Sequence, residues 1–315
     1  MKSRGSSRVV IALTVALLLW ASAFAAIRVG LRGFGPGQLA LLRFSIASIA
    51  LLIYSLVTRQ PLPRARDLPM MLLLGFLGFF VYHVGLNAGE VVVPAGAASF
   101  IIASVPVFST LLAVIFLNER LTLPGWVGVV ISFAGVALIS LGSGTGFTFQ
   151  PAALFIVCAA LGESIYFVLQ KPYLGRLSGL QLTTYTIWTG TITMLVFLPG
   201  LVRQVQTAPA EATLAVAYLG IFPAAIGYVL WAYALSRADV SRVTSTLNIS
   251  PILSLAIAFL WLREVPTAAS LIGGLVTIAG VIVLNTLGKK RQGGKAPAQS
   301  EASAAGEKYI PGDDE

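Results

Sequence analysis

Hydrophobic and polar positions follow one slow rhythm along this chain: runs of about twenty apolar residues, each closed by a few polar or charged ones. A run of about 20 residues spans the hydrocarbon layer of a bilayer as an α-helix. Ten runs can be read: Val9–Val29, Pro36–Val57, Leu68–Ala88, Val92–Leu117, Pro124–Leu141, Phe149–Gln170, Leu180–Leu201, Ala212–Leu235, Val240–Leu262 and Pro266–Leu287. The connections are short and carry Pro, Gly and charge, so none has room for a soluble domain. Inside a bilayer every backbone N–H and C=O must be paired within the protein, which leaves helices or a closed barrel. Barrel strands alternate in hydrophobicity over about ten residues. These runs do not, so the expected fold is an all-α integral membrane protein of ten transmembrane helices.

Composition agrees with a lipid solvent. Of 315 residues, 57% are hydrophobic and 10% charged, against roughly 25% charged in a soluble domain. The net charge of +9 raises the question of a nucleic-acid partner, but the basic residues sit at span ends, where membrane topology needs them. With the N-terminus in the cytosol, one set of ends holds 15 Lys and Arg and the other set holds four: Arg28, Arg32, Arg203 and Arg263. That asymmetry places both termini in the cytosol, at an inner or plasma membrane, with residues 1–8 as a short N-terminal tail. The first run has a basic start and an Ala21-Ser22-Ala23 that resembles a signal-peptide cleavage site. The apolar stretch continues past it and nine more runs follow, so it reads as a retained helix. Residues 288–315 are polar, begin with Lys289-Lys290-Arg291 and end acidic. They read as a disordered tail whose basic cluster rests on anionic lipid head groups. Cys158 is the only cysteine and reads as a small apolar filler.

Shifting the sequence by 145 residues lays it on itself. Gly75 falls on Gly220, Pro106 on Pro251, Ser109 on Ser254, Glu119 on Glu264, Gly128 on Gly273 and Gly135 on Gly280, with no gap. The chain therefore reads as two five-helix repeats, residues 9–141 and 149–287. Five is odd, so the second repeat enters the membrane upside down. Inverted repeats around a central cavity are a recurring plan of secondary transporters, because two similar halves in opposite orientation can exchange conformations.

Several short motifs carry a resemblance. Trp20-Ala-Ser-Ala-Phe24, Leu42-Arg43, Pro106 followed by Asn118-Glu119-Arg120, Ala232-Tyr233-Ala234-Leu235 and Pro251 followed by Arg263-Glu264 resemble the drug/metabolite transporter superfamily in its EamA-type branch. The likeness covers Val9 to Leu287. It implies a ten-helix permease with a cavity between the halves, exporting amino acids, other metabolites or toxic compounds. The sixth run, Leu161-Gly162-Glu163-Ser164-Ile165-Tyr166, departs from that pattern and leaves substrate preference open.

Charges inside a bilayer are costly and mark partners or pathways. Arg43 suits either a carbonyl-capping structural role or a clamp for a substrate carboxylate. Glu163 reads as the only acidic residue deep in a span. It can pair with a base such as Arg43, be held as the neutral acid, relay protons or bind a substrate amine. His83 is the one histidine and suits proton coupling or a structural hydrogen bond, and nearby Asn87 serves either reading. Trp20, Phe24, Tyr82, Tyr166, Trp188, Tyr228, Trp231 and Tyr233 offer stacking and cation–π walls, against the alternative of interfacial belts. Asn248 belongs to a polar stripe with Ser241, Thr244, Ser245 and Ser250. Pro106 and Pro251 fall mid-span and are candidate hinges, since a mid-helix proline removes a hydrogen bond. Glu119 and Glu264 invite helix-end ion pairs with Arg120 or Arg263, or with neighbouring loops.

One histidine excludes a His-Glu-x-x-His zinc site, and neither a Gly-x-Ser-x-Gly elbow nor a P-loop occurs. The expectation is a secondary transporter, not an enzyme, with no cofactor or metal. Its partners are a small-molecule substrate, the lipid bilayer and, as a candidate coupling ion, protons, with no nucleic acid. Amino acids or related compounds are the favoured cargo, in the export direction. A flippase for lipid-linked substrates, or a carrier of drug-like ones, is the alternative.

Overall fold

The computed structural model describes residues 2–117, 120–142, 150–173, 176–235, 237 and 246–287. The expected tail 288–315, Glu119, Ser241, Thr244, Ser245 and the side chain of Asn248 lie outside the described residues.

Apolar runs that must satisfy their own backbone become helices, and among the described residues nine are long and apolar enough to cross a membrane. They begin with α1 (Lys2–Gly30) and α2 (Pro36–Val57). The third span joins α3 (Leu68–Gly75) to α4 (Tyr82–Glu90), and the fourth joins α5 (Ala95–Ile102) to α6 (Val105–Leu117). Next come α7 (Leu123–Gly142) and α8 (Ala152–Gln170). The seventh span joins α9 (Gly179–Met194) to α10 (Leu198–Thr207), and the eighth joins α11 (Ala210–Leu219) to α12 (Gly227–Leu235). A shorter apolar helix, α13 (Ser250–Leu262), precedes α14 (Ala268–Leu287). The architecture is all-helical, as the hydropathy rhythm predicts. Large apolar side chains such as Ile53, Leu56 and Phe116 face outward, which a lipid surround requires.

Among the described residues, two kinds of irregularity recur at matched places. The third span is wound as a π-helix over Phe76–Val81 and the eighth over Gly220–Ile226, which is the 145-residue register again. In the eighth, Pro223 would clash with the preceding turn of a regular helix, and the wider π turn accommodates it. Its counterpart Gly78 lies flat against the Tyr166 ring. The fourth span breaks at Ala103-Ser104, and α13 follows a 3-10 turn at Thr246–Ile249. This corrects the reading of Pro106 and Pro251 as mid-helix kinks. Each sits in the first turn of the helix after the break, where its missing N–H has no partner to lose.

Glycines set the closest helix contacts. On α7 and α14, a Cβ at Gly128 would meet the Gly280 carbonyl at 2.8 Å, and one at Gly135 the Gly273 carbonyl at 2.5 Å. The lower position on one helix meets the higher on the other, so the two helices run antiparallel. Elsewhere, chain segments cross between the halves. Gly75 abuts Gly190 of α9, while Gly220 abuts the Arg43 carbonyl of α2. Gly85 of α4 packs on Phe155 and Ala159 of α8, while Gly227 of α12 packs on Trp20 of α1. The third helix of each half thus lies between the first and second helices of the other.

Polar span ends gather into two faces. One joins Arg28 to Glu264 at 3.0 Å, Arg32 to Glu211 at 3.2 Å and the Gly35 amide to Gln204 at 2.9 Å. The other joins Arg176 to Asp67 at 3.2 Å, the Tyr185 hydroxyl to the Pro61 carbonyl, and the Thr122 hydroxyl to the Leu287 carbonyl at 2.6 Å.

Candidate functional site

The crossed third helices bring aromatic rings from α1, α2, α8 and both π-containing spans into one chain of contacts. Trp20 stands 5.3 Å from Tyr228 and 5.0 Å from Trp231, centroid to centroid. Tyr228 stands 6.1 Å from Phe79, which also meets Tyr166 at 5.9 Å and Phe44 at 5.4 Å. Phe44 lies 4.4 Å from His83 with the rings tilted, and Tyr82 lies edge-on to His83 at 4.5 Å. The Trp20 indole N–H donates to the Pro223 carbonyl at 3.0 Å, so the second π segment fixes that ring.

Two charged groups enter this cluster from different helices. Arg43 is buried, its Nη1 3.4 Å from Nδ1 of His83, and its Nε has no hydrogen-bond partner. Nε2 of His83 is likewise without one. Glu163 on α8 is partly buried and lies within electrostatic reach of Tyr82, Tyr166 and Tyr228. Tyr82 and Tyr228 are also the groups that Arg43 senses most strongly. Both charges therefore lie within electrostatic reach of the same pair of tyrosines. Of the alternatives open to Glu163, an ion pair with Arg43 is not formed; Arg43 meets His83 instead. A guanidinium with a free Nε, a separate carboxyl and aromatic walls between them can accept a ligand bearing both an anionic and a cationic group.

Not every candidate gathers there. Trp188 lies between α9 and α2, donating to the Ser48 carbonyl at 3.2 Å, with its ring tilted 5.8 Å from that of Tyr185. Phe24 packs in the main core. Asn87 is fully buried toward the Arg28 face, where its amide donates to the Pro36 carbonyl at 2.9 Å and its Oδ1 is unpartnered. Phe44 and Phe79 belong to the cluster and were missed, because one more phenylalanine in an apolar run carries no signal of its own.

The reading of Glu163 as the only deep acidic residue is also corrected. Glu90 closes α4 fully buried, and neither carboxyl oxygen has a hydrogen-bond partner. Above it, Arg28 donates through Nε to Glu264 and through Nη1 to the carbonyls of Glu90 and Val91. Glu264 in turn accepts from the Ala95 amide at 2.9 Å. The partner of Glu264 is thus Arg28, not Arg263, which ends α13 in a left-handed conformation at φ 58°. A cavity of about 30 Å³ opens beside this group, lined by Pro94, Gly96, Leu255, Glu264, Thr267 and Ser270. The signal that points to Glu90 is an acid flanked by apolar residues in Gly89-Glu90-Val91-Val92. Among the described residues, no group of three or more His, Cys, Asp or Glu could hold a metal ion.

Comparison with known proteins adds names to this geometry. The model of the EamA-like transporter family matches residues 7–141 and again residues 150–286. An uncharacterized transporter of Bacillus subtilis, YdfC, is 46% identical, across 84% of this chain and 86% of its own. A probable terminal-alkyne amino-acid exporter of Streptantibioticus cattleyicolor is 44% identical, across 91% of this chain and 97% of its own. A probable amino-acid metabolite efflux pump of Escherichia coli is 25% identical, across 87% and 93%. A solved crystal structure with 23% identity superposes with a TM-score of 0.58, covering 88% of this chain and 96% of that one, and shares the fold.

Proposed function

The chain belongs to the EamA-like transporter family, and we propose that it exports small metabolites, amino acids or related compounds, across the inner membrane by alternating access. The observation that carries this reading is the aromatic cluster of Trp20, Phe79, Tyr166 and Tyr228, with both Arg43 and Glu163 in electrostatic reach of Tyr82 and Tyr228. In that site Arg43 holds a carboxylate, Glu163 faces an ammonium group and the rings hold an apolar side chain. Two relatives are named as an amino-acid exporter and an amino-acid metabolite efflux pump, which agrees with a zwitterionic cargo.

The alternating motion rests on an inverted repeat of residues 9–141 and 149–287. Its support is the two-fold pattern of α7 and α14, in which Gly128 meets Gly280 while Gly135 meets Gly273. The breaks before Pro106 and Pro251 and the paired π segments are the places where each half bends.

Purified protein in proteoliposomes, loaded against a panel of radiolabelled amino acids with and without a pH gradient, tests the proposal. Uptake above empty vesicles, about tenfold or more lower in Arg43→Gln and in Glu163→Gln, is the expected result. Uptake that survives both substitutions removes the site. No uptake across the panel moves the assignment to drug-like or lipid-linked cargo.

A further inference from the structure

We propose that the Glu90 carboxyl is a proton-binding site beneath the Arg28 face of the bundle, and that its proton keeps this face closed. Glu90 is completely buried, and both of its carboxyl oxygens lack a hydrogen-bond partner. A bare carboxylate is a costly occupant of such a place, whereas the neutral acid fits it. Three charged groups face it: Arg28 on α1, Glu264 beyond α13 and Arg43 on α2. The other elements packed on α4, which are α5, α8 and the first π segment, bring no further charge against it. Glu163 of α8 acts on the tyrosines, and His83 of α4 itself meets Arg43.

The chemistry is a competition of two carboxyls for one guanidinium. With Glu90 neutral, Arg28 is free to bond Glu264, and Glu264 is free to bond the Ala95 amide. Those bonds tie the end of α1, the α4–α5 junction and the end of α13 together. If the proton leaves, Glu90 becomes a second anion beside Glu264. It repels Glu264 and draws on the same guanidinium, and the tie from α1 to α13 loosens. The cavity lined by Glu264, Thr267 and Ser270 gives water a place beside Glu264, so a proton has a wet approach to the Arg28 face. The closed arrangement holds one proton more than the open one. Rising pH on this face therefore depletes the closed form, by at most about tenfold in the closed-to-open ratio per pH unit.

The test needs no substrate, so its failure is distinct from failure of the transport assay. Spin labels at Val91→Cys and Val265→Cys, positions 53% and 75% exposed, report the α4-to-α13 distance in the full chain, reconstituted in liposomes with Cys158→Ala. The expected result is a short-distance population that falls as pH rises, stays high at every pH in Glu90→Gln, and ignores exchange of sodium for choline at fixed pH. A parent distribution that does not move with pH overturns the proposal, as does a Glu90→Gln protein that still moves. A shift caused by sodium overturns it in favour of a metal cation. Glu264→Gln provides a second reading that leaves Glu90 intact: it should lose the short population at all pH values, and retention of that population defeats the mechanism.

Discussion

Gly75 and Gly220 hold matched places, 145 residues apart, and each lies against the second helix of the opposite half. Both are followed by a π segment and then by one more short helix. Beyond that point the two third spans diverge. The first carries His83, Asn87 and Glu90, all buried; the same register in the second puts Tyr228, Ala232 and Leu235. The second helices differ likewise, with Arg43 in the first half and Trp188 at its counterpart. The backbone plan is shared, and the polar chemistry is loaded on one side of it, with Glu163 of the second half facing across. On the function proposed above, the shared plan lets a cavity open to either side, and the unmatched side chains suit a substrate with two different ends.

The largest expected effect breaks or confirms that loading. Arg43→Ala should weaken substrate affinity about a hundredfold, because it leaves a carboxylate without its partner in a water-poor site, whereas Trp188→Phe should change uptake less than about threefold, since losing its bond to Ser48 removes a single neutral hydrogen bond. Equal losses in proteoliposome uptake would mean that the two positions act alike. Glu163→Gln comes next, with uptake of zwitterionic substrates about tenfold lower. If its uptake also keeps the parent's pH dependence, Glu163 carries no coupling proton. Smaller still, Gly128→Ala and Gly273→Ala should each cost about 1–3 kcal/mol in detergent unfolding, because each new Cβ meets backbone of the facing helix. Equal costs sharpen the picture of a symmetric frame, and a cost in only one half breaks it. The smallest contrast lies at the polar faces. Asp67→Asn should destabilise by about 1 kcal/mol and Glu211→Gln by no more than about 0.3 kcal/mol, because Asp67 is 11% exposed and Glu211 59%.

Spans were legible because a bilayer demands long apolar runs, and that demand is written residue by residue. The spacing of Gly128, Gly135, Gly273 and Gly280 was legible for a similar reason: each lies against backbone of the facing helix, where an added Cβ would come closer than 3 Å. The π segments were not, because one extra residue in a helical turn leaves hydropathy unchanged. Pro106 and Pro251 marked the right places, but the breaks lie just before them, since a proline costs nothing at the start of a helix. Arg43, His83 and Glu163 stood out as charges or titratable groups in apolar runs, and the structure brings all three to the aromatic cluster. Glu90 escaped notice because it ends a run, where a charge ordinarily meets water. Only the fold reveals that Arg28 and Glu264 close over it.

The crossing of the third helices reaches beyond the site. A five-helix half standing alone would leave the flat faces of Gly75, Gly85 and Gly89 with nothing against them, because their neighbours belong to the other half. Neither half is then a self-sufficient folding unit, however similar the two sequences are. A chain cut between residues 142 and 150 should yield fragments that are unstable apart and that recover one structure when made together in one membrane.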